Sequence, residues 1–121
     1  MKPQTITIDD VEYVRKDSLS ALADTHEGMR YCIIRCRDAG VHAGYVKHHE
    51  GREVTLLKSR RLWKWHGKTL SGLATEGTTN ADKCKYANEV PEITVLDACE
   101  IIPCTGIGKS SITGMKEWVN E

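Results

Sequence analysis

The sequence predicts an α+β fold, a small antiparallel β-sheet domain with one or two short helices, and three observations lead there. Residues 31–37 and 41–48 read as a strand, with one apolar face and one that turns basic at its end, and its returning strand, and Asp38-Ala39-Gly40 joins them as a turn. A third strand, 52–65, follows the Glu50-Gly51 turn. Behind it, Thr69 stands as an N-cap before Leu70, Leu73 and Ala74 at helical spacing, and Gly77 is placed to end that helix. Strands grouped together and followed by short helices, without βαβ alternation, make an antiparallel α+β domain.

The elements follow in chain order. Residues 1–29 predict an N-terminal arm. It holds two short strands, 5–8 and 12–15, turned at Asp9-Asp10, then a short helix capped by Asp17 or Ser18. In that helix Leu19, Leu22, Ala23 and His26 share a face, and Gly28 terminates it. The main domain, 30–121, opens with the 31–37 strand. One face of this strand carries Cys32, Ile34 and Cys36; the other carries Tyr31, Ile33, Arg35 and Arg37. Gly44 inside the returning strand marks a bulge or a close backbone approach. The 52–65 strand bends near Lys58-Ser59. Residues 77–91 lack periodicity and read as a loop ending at Pro91. The apolar, β-branched run 92–102 reads as one buried strand, 105–113 as a loop or single helical turn, and 115–119 as a last short strand.

At 121 residues the chain is one domain by length, able to bury roughly two-thirds of its unfolded surface. Lys+Arg and Asp+Glu balance at 17 each, so whole-molecule charge gives no polyanion partner. The distribution is uneven: 52–68 is basic and 76–100 acidic, which suits a local anion site better than a DNA track. The 5 cysteines are odd in number and irregularly spaced, and no signal peptide is evident. Reduced thiols in a soluble cytoplasmic protein are expected. No apolar run approaches the roughly twenty residues that span a bilayer. No Cys or His set has zinc spacing, and the His48-His49 pair is a weak metal candidate, so no metal or cofactor is expected.

The most informative stretch is Arg60-Arg61-Leu62-Trp63-Lys64-Trp65. In a strand, Arg61, Trp63 and Trp65 share one face, while Arg60, Leu62 and Lys64 take the other. Indole rings beside guanidiniums can stack a base and pair a phosphate; the same residues also suit a core with a solvated basic rim. His42 flanks the basic turn. Ile107-Gly108-Lys109-Ser110 resembles the end of a phosphate loop, but Pro103 occupies the first glycine position and too little chain follows. Lys109 beside an anionic ligand is the softer reading. No nucleophile elbow, paired carboxylates or activated thiol stands out, so the visible chemistry is that of a binding protein.

Several stretches together resemble a known family. They are Arg35-Cys36-Arg37-Asp38-Ala39-Gly40-Val41-His42-Ala43-Gly44-Tyr45, Ser59 through Trp65, Thr69-Leu70-Ser71-Gly72-Leu73-Ala74-Thr75-Glu76-Gly77, Cys84-Lys85-Tyr86, Val90-Pro91-Glu92 and Glu100-Ile101-Ile102-Pro103. Over about 30–119 the chain looks like the phage Thoeris anti-defence proteins of the first type, the cyclic ADP-ribose sponges. The resemblance implies a non-enzymatic protein of the host bacterial cytoplasm. It would bind a glycosyl-linked cyclic ADP-ribose isomer made by a TIR-domain enzyme, without cleaving it, and so keep Thoeris immunity silent. It also implies a homodimer or a hexamer of dimers, with cyclic di- or trinucleotides as further ligands at a second site. No membrane or DNA partner is implied. The ligand-binding residues expected are Arg35, His42, Arg60, Arg61, Trp63, Trp65 and Lys109. Against the family pattern, Lys64 stands where an aromatic is expected, and Gly106-Ile107-Gly108 loosens a region expected to be more helical. A small phage nucleic-acid-binding protein is the alternative, and an enzyme cleaving the same nucleotide is a third class.

Overall fold

The structure, a computed structural model, describes residues 21–78 and 81–119. It is an α+β domain: a six-stranded sheet with all pairings antiparallel, and two helices. Strands β1 (Tyr31–Cys36), β2 (Val41–Glu50) and β3 (Glu53–Lys64) form a meander, as the sequence predicts. Helix α1 (Leu70–Glu76) follows, with the Thr69 hydroxyl accepting from Gly72 N and Gly77 N–H closing the last turn on Leu73 O. Then come β4 (Lys85–Tyr86), β5 (Val90–Val95), β6 (Ala98–Pro103) and helix α2 (Gly106–Gly114).

The topology forces the sheet to curl. β5 lies on the outer edge of β3 and β6 on the outer edge of β1, yet only Leu96-Asp97 separates them. In a flat sheet the ends they join, Val54 and Cys36, would stand diagonally apart by more than roughly 25 Å. The three-residue step from Val95 to Ala98 spans at most roughly 11 Å. Bulges in the β2–β3 and β1–β6 pairings supply the coil: the register shifts at Ala43/Tyr45 and Val46/His48 in the first and at Arg35/Cys36 in the second, and Lys58 sits at φ 52°. Bonds from Arg37 N to Asp97 O and from Ala98 N to Arg52 O tie the crossing segment to both edges.

Curling gives the sheet two cores. Cys32, Ile34, Cys36, Val54, Leu56 and Val95 fill the concave interior. Tyr31, Ile33, Ala43, Leu62 and Tyr86 lie on the convex face under Leu73 and Ala74 of α1 and Ile112 of α2. β1 is therefore buried on both faces up to Arg35, where the expected pattern had one apolar face and one turning basic. Gly44 lies where a Cβ would meet Leu57 O at 2.9 Å, the close approach its position suggests.

Five expectations are corrected. Residues 92–102 form two strands rather than one, because Asp97 at φ 56° breaks the run as the chain changes edges, and of these residues only Val95 is fully buried. Residues 77–91 include a 3-10 turn, Ala81–Lys83, and the short strand β4 beside Leu62 and Lys64. Residues 105–113 lie in a helix, capped by Thr105 Oγ1, which accepts from Gly108 N. Residues 115–119 form no strand; Trp118 N donates to Tyr86 O. Residues 21–29 are not helical, since their backbone is spent on other partners: Ala23 N donates to Cys104 O, Gly106 N to Ala21 O, and His26 pairs with Met29. The hairpin expected at 5–15 and the cap at 17–18 lie outside the described residues.

The two helices touch through Gly108, where an added Cβ would sit 1.9 Å from Ala74 O. Gly108→Ala is expected to push α2 off α1 and cost about 1–3 kcal/mol. Gly106→Ala, with open space around it, is expected to be neutral or stabilising. Urea titration of both variants checks the contrast.

Candidate functional site

The concave face of the sheet runs out toward a groove at the β3–β5 side. His42 is paired in register with Ile34 on one side and Arg61 on the other, so these three share that face. Ser59, Arg61 and Trp63 continue it along β3 with the period of a strand. They border a cavity of about 280 Å³ closed on its far side by Asn88, Val90 and Ile93. Two further hollows, about 390 Å³ toward Gly40 and Trp65 and about 430 Å³ toward Asp38 and Asp97, also have Arg61 in their walls. Arg61 is thus the point where three depressions meet.

The electrostatics favour an anion at that point. Arg61 is exposed and makes no salt bridge or side-chain hydrogen bond among the described residues. Arg61 is the one Arg or Lys side chain in the cavity lining; Lys47, Lys68 and Lys116 pair elsewhere, with Glu92, Glu76 and Asp82. Trp63 is 52% exposed, borders two of the hollows and meets Trp118 edge to face, ring centres 5.7 Å apart at 75°. An indole steadied by a neighbouring ring and half open to solvent is a platform for a planar group.

The floor of the cavity is buried and polar. The His42 ring donates through Nε2 to Ala39 O at 2.9 Å, because a carbonyl can only accept. In the neutral ring Nδ1 is then an acceptor. Burial holds the His42 pKa below its ordinary value; the Ala39 bond opposes this, and the Arg61 charge adds to it. The Ser59 hydroxyl is buried and has no partner among the described residues. A folded-state histidine pKa below the unfolded value means that stability is complete above about 6.5 and falls as pH drops through the folded value. The protein is expected to lose stability on acidification through this window, and His42→Gln is expected to flatten the loss; unfolding titrations at pH 7.5 and 5 check it.

Of the residues expected to bind a ligand, His42, Arg61 and Trp63 come together around the cavity. Trp65 borders the neighbouring hollow but packs against the convex core, its Nε1 donating to Lys68 O. The two tryptophans therefore divide, Trp63 as the open face and Trp65 as structure. Arg60 is turned inward and only 5% exposed. Its Nε donates to Ala87 O and its Nη1 to Ile112 O and Met115 O, so its partners are neutral carbonyls. Arg35 pairs with Glu100 at 2.8 Å, and Lys109 lies over the Tyr31 and Tyr45 rings; neither borders the cavity. Ser59 and Asn88 were not among the expected residues. Ser59 had a signal, since 59, 61 and 63 share strand parity; Asn88 sits in a segment without periodicity and had none.

The cysteines offer no thiolate near neutrality at the two deepest positions. Burial pushes Cys32 up to about 11 and Cys104 up to about 12. Among the described residues, no cluster of three or more His, Cys, Asp or Glu side chains is arranged to hold a metal ion, and no helix is long and apolar enough to cross a membrane.

Fold and groove define a small α+β domain with one unpaired guanidinium and one open indole over a polar floor. Residues 29–112 match the family described as a domain of unknown function (DUF6948), and the chain belongs to that family. No curated protein and no solved structure matches it.

Proposed function

We propose that the protein is a phage anti-defence sponge that binds a glycosyl-linked cyclic ADP-ribose isomer and sequesters it uncleaved, in the cytoplasm of the host bacterium. The observation that carries this reading is the unpaired Arg61 guanidinium on the same strand face as the open Trp63 ring. A guanidinium matches phosphate oxygens two at a time, and an indole stacks a base. A sponge must hold its ligand at submicromolar concentration, about 8 kcal/mol or more. Charge-assisted bonds to a pyrophosphate and one stacked base supply energy on that scale. The resemblance of the 30–119 region adds the identity of the ligand and a homodimer or hexamer of dimers as the working assembly. It also adds cyclic di- or trinucleotides as ligands of a second site.

The absence of a catalytic step is part of the proposal. The groove holds one neutral imidazole, one hydroxyl and one guanidinium, and these suffice to orient a nucleotide. The test is depletion and recovery. Purified protein is mixed with the product of a TIR-domain enzyme, free small molecules are removed, and the protein is heat-denatured. Intact cyclic nucleotide in the released fraction supports sequestration. Opened product would make the protein an enzyme. No depletion, with retention on DNA or RNA instead, would make it a nucleic-acid-binding protein.

A further inference from the structure

The cavity beneath Trp63 contains two polar groups that the fold itself does not use. The Ser59 side chain is 1% exposed, lines the cavity, and its hydroxyl meets no partner among the described residues. Tyr31 and Tyr86 also have unpaired buried hydroxyls, in the convex core, but of the three only Ser59 borders this cavity, where a partner from outside can relieve the cost of an unpaired buried hydroxyl. His42 is also 1% exposed and lines the same cavity, with Nε2 spent on Ala39 O and Nδ1 left as an acceptor. Ser59 lies diagonally across the β2–β3 pairing from His42, since His42 stands opposite Arg61. Diagonal neighbours have backbones roughly 7–8 Å apart, which leaves room for one hydrogen-bonding edge between their side chains.

Most of what surrounds these two groups is apolar, with Arg61 and Asn88 the other polar members of the lining. Trp63 stands on one side and Val90 and Ile93 on the other. A sugar, with hydroxyls all round, would leave several of them unpaired against such walls. A flat heterocycle would bury its faces there and present its edge to the floor. Resting on the nucleotide reading above, we propose that Ser59 and His42 read the edge of an adenine inserted beside Trp63. The base amino group donates to His42 Nδ1, and the Ser59 hydroxyl donates to the ring nitrogen N1. Arg61, at the rim, takes the phosphates. Hypoxanthine is rejected by His42, because its O6 brings an acceptor against the acceptor Nδ1. His42 is thus the specificity-determining residue of the site, and Ser59, whose hydroxyl can donate to N1 or accept from N1–H, contributes affinity.

The experiment compares two probes by calorimetry, the glycosyl-linked cyclic ADP-ribose isomer and the same compound carrying hypoxanthine, on wild type and Ser59→Ala. Melting temperatures of the two proteins are recorded without ligand. Wild type is expected to favour the adenine compound by roughly 10-fold or more. Ser59→Ala is expected to weaken both probes by roughly 10-fold and keep the adenine preference, while melting roughly 2–8 °C higher, because an unpaired buried hydroxyl has gone. Equal binding of both probes by wild type overturns the assignment and leaves nucleotide binding standing. A lower melting temperature for Ser59→Ala also overturns it, since the hydroxyl would then be structural. If wild type binds neither probe, the nucleotide reading fails and this inference falls with it.

Discussion

Replacing Arg60 by methionine is expected to destabilise the protein by about 3–5 kcal/mol, because it takes the donor away from three backbone carbonyls. The guanidinium joins three parts of the chain. Its Nε reaches Ala87 O after β4 at 2.7 Å, and its Nη1 reaches Ile112 O and Met115 O at 2.7 and 2.6 Å. The last two are carbonyls at the C-terminal end of α2, where a cation also meets the negative end of the helix dipole. Methionine keeps most of the stem volume but leaves these acceptors facing an apolar side chain, at about 1–3 kcal/mol for each that water cannot reach. Arg60→Lys is expected to fall between, because a single ammonium cannot span the fork. Urea unfolding with an unchanged m-value is the measurement. A loss under about 1 kcal/mol would mean that α2 is held by its apolar contacts alone.

That result bears on what was legible in the sequence. Period-2 alternation does two things well here. It locates β1 to β3, and it separates Arg60 from Arg61 on sequence alone, because neighbours on a strand face opposite ways. It cannot say which face is the interior once the sheet curls, since β1 is apolar on both sides and serves two cores. The edge change at Asp97 has no glycine or proline to announce it, so 92–102 reads as one strand. α2 is hidden for the opposite reason. Gly106 and Gly108 lower its local propensity, yet Gly108 is required by the contact with Ala74. Packing between elements distant in sequence settles both points. The same holds for the site: His42, Arg61 and Trp63 were visible by residue type. Asn88 enters only through the pairing of β5 with β3.

Arg61→Ala is expected to have the reverse profile of Arg60→Met: binding of the cyclic nucleotide falls by about 100-fold or more, while stability stays within about 0.5 kcal/mol. The stability side follows from the exposed position of Arg61 and its lack of a salt bridge or side-chain hydrogen bond among the described residues. The binding side follows from its place where three hollows meet, as the one Arg or Lys in the lining of each. A pyrophosphate there has one guanidinium to turn to, and two charge-assisted bonds are worth about 3 kcal/mol or more. Arg61→Lys separates fork geometry from charge: a point charge keeps the salt dependence but is expected to recover only part of the affinity. Trp63→Ala, by contrast, removes one stacked face and is expected to cost about 1–3 kcal/mol with a weaker salt dependence than the arginine variants. Calorimetry at two ionic strengths reads all of these. Full affinity in Arg61→Ala would move the anion site off this groove, and the Ser59–His42 floor would then need another explanation for its unpaired hydroxyl. Neighbouring arginines on one strand thus give opposite outcomes, one in stability and one in binding, because the strand presents them to opposite faces.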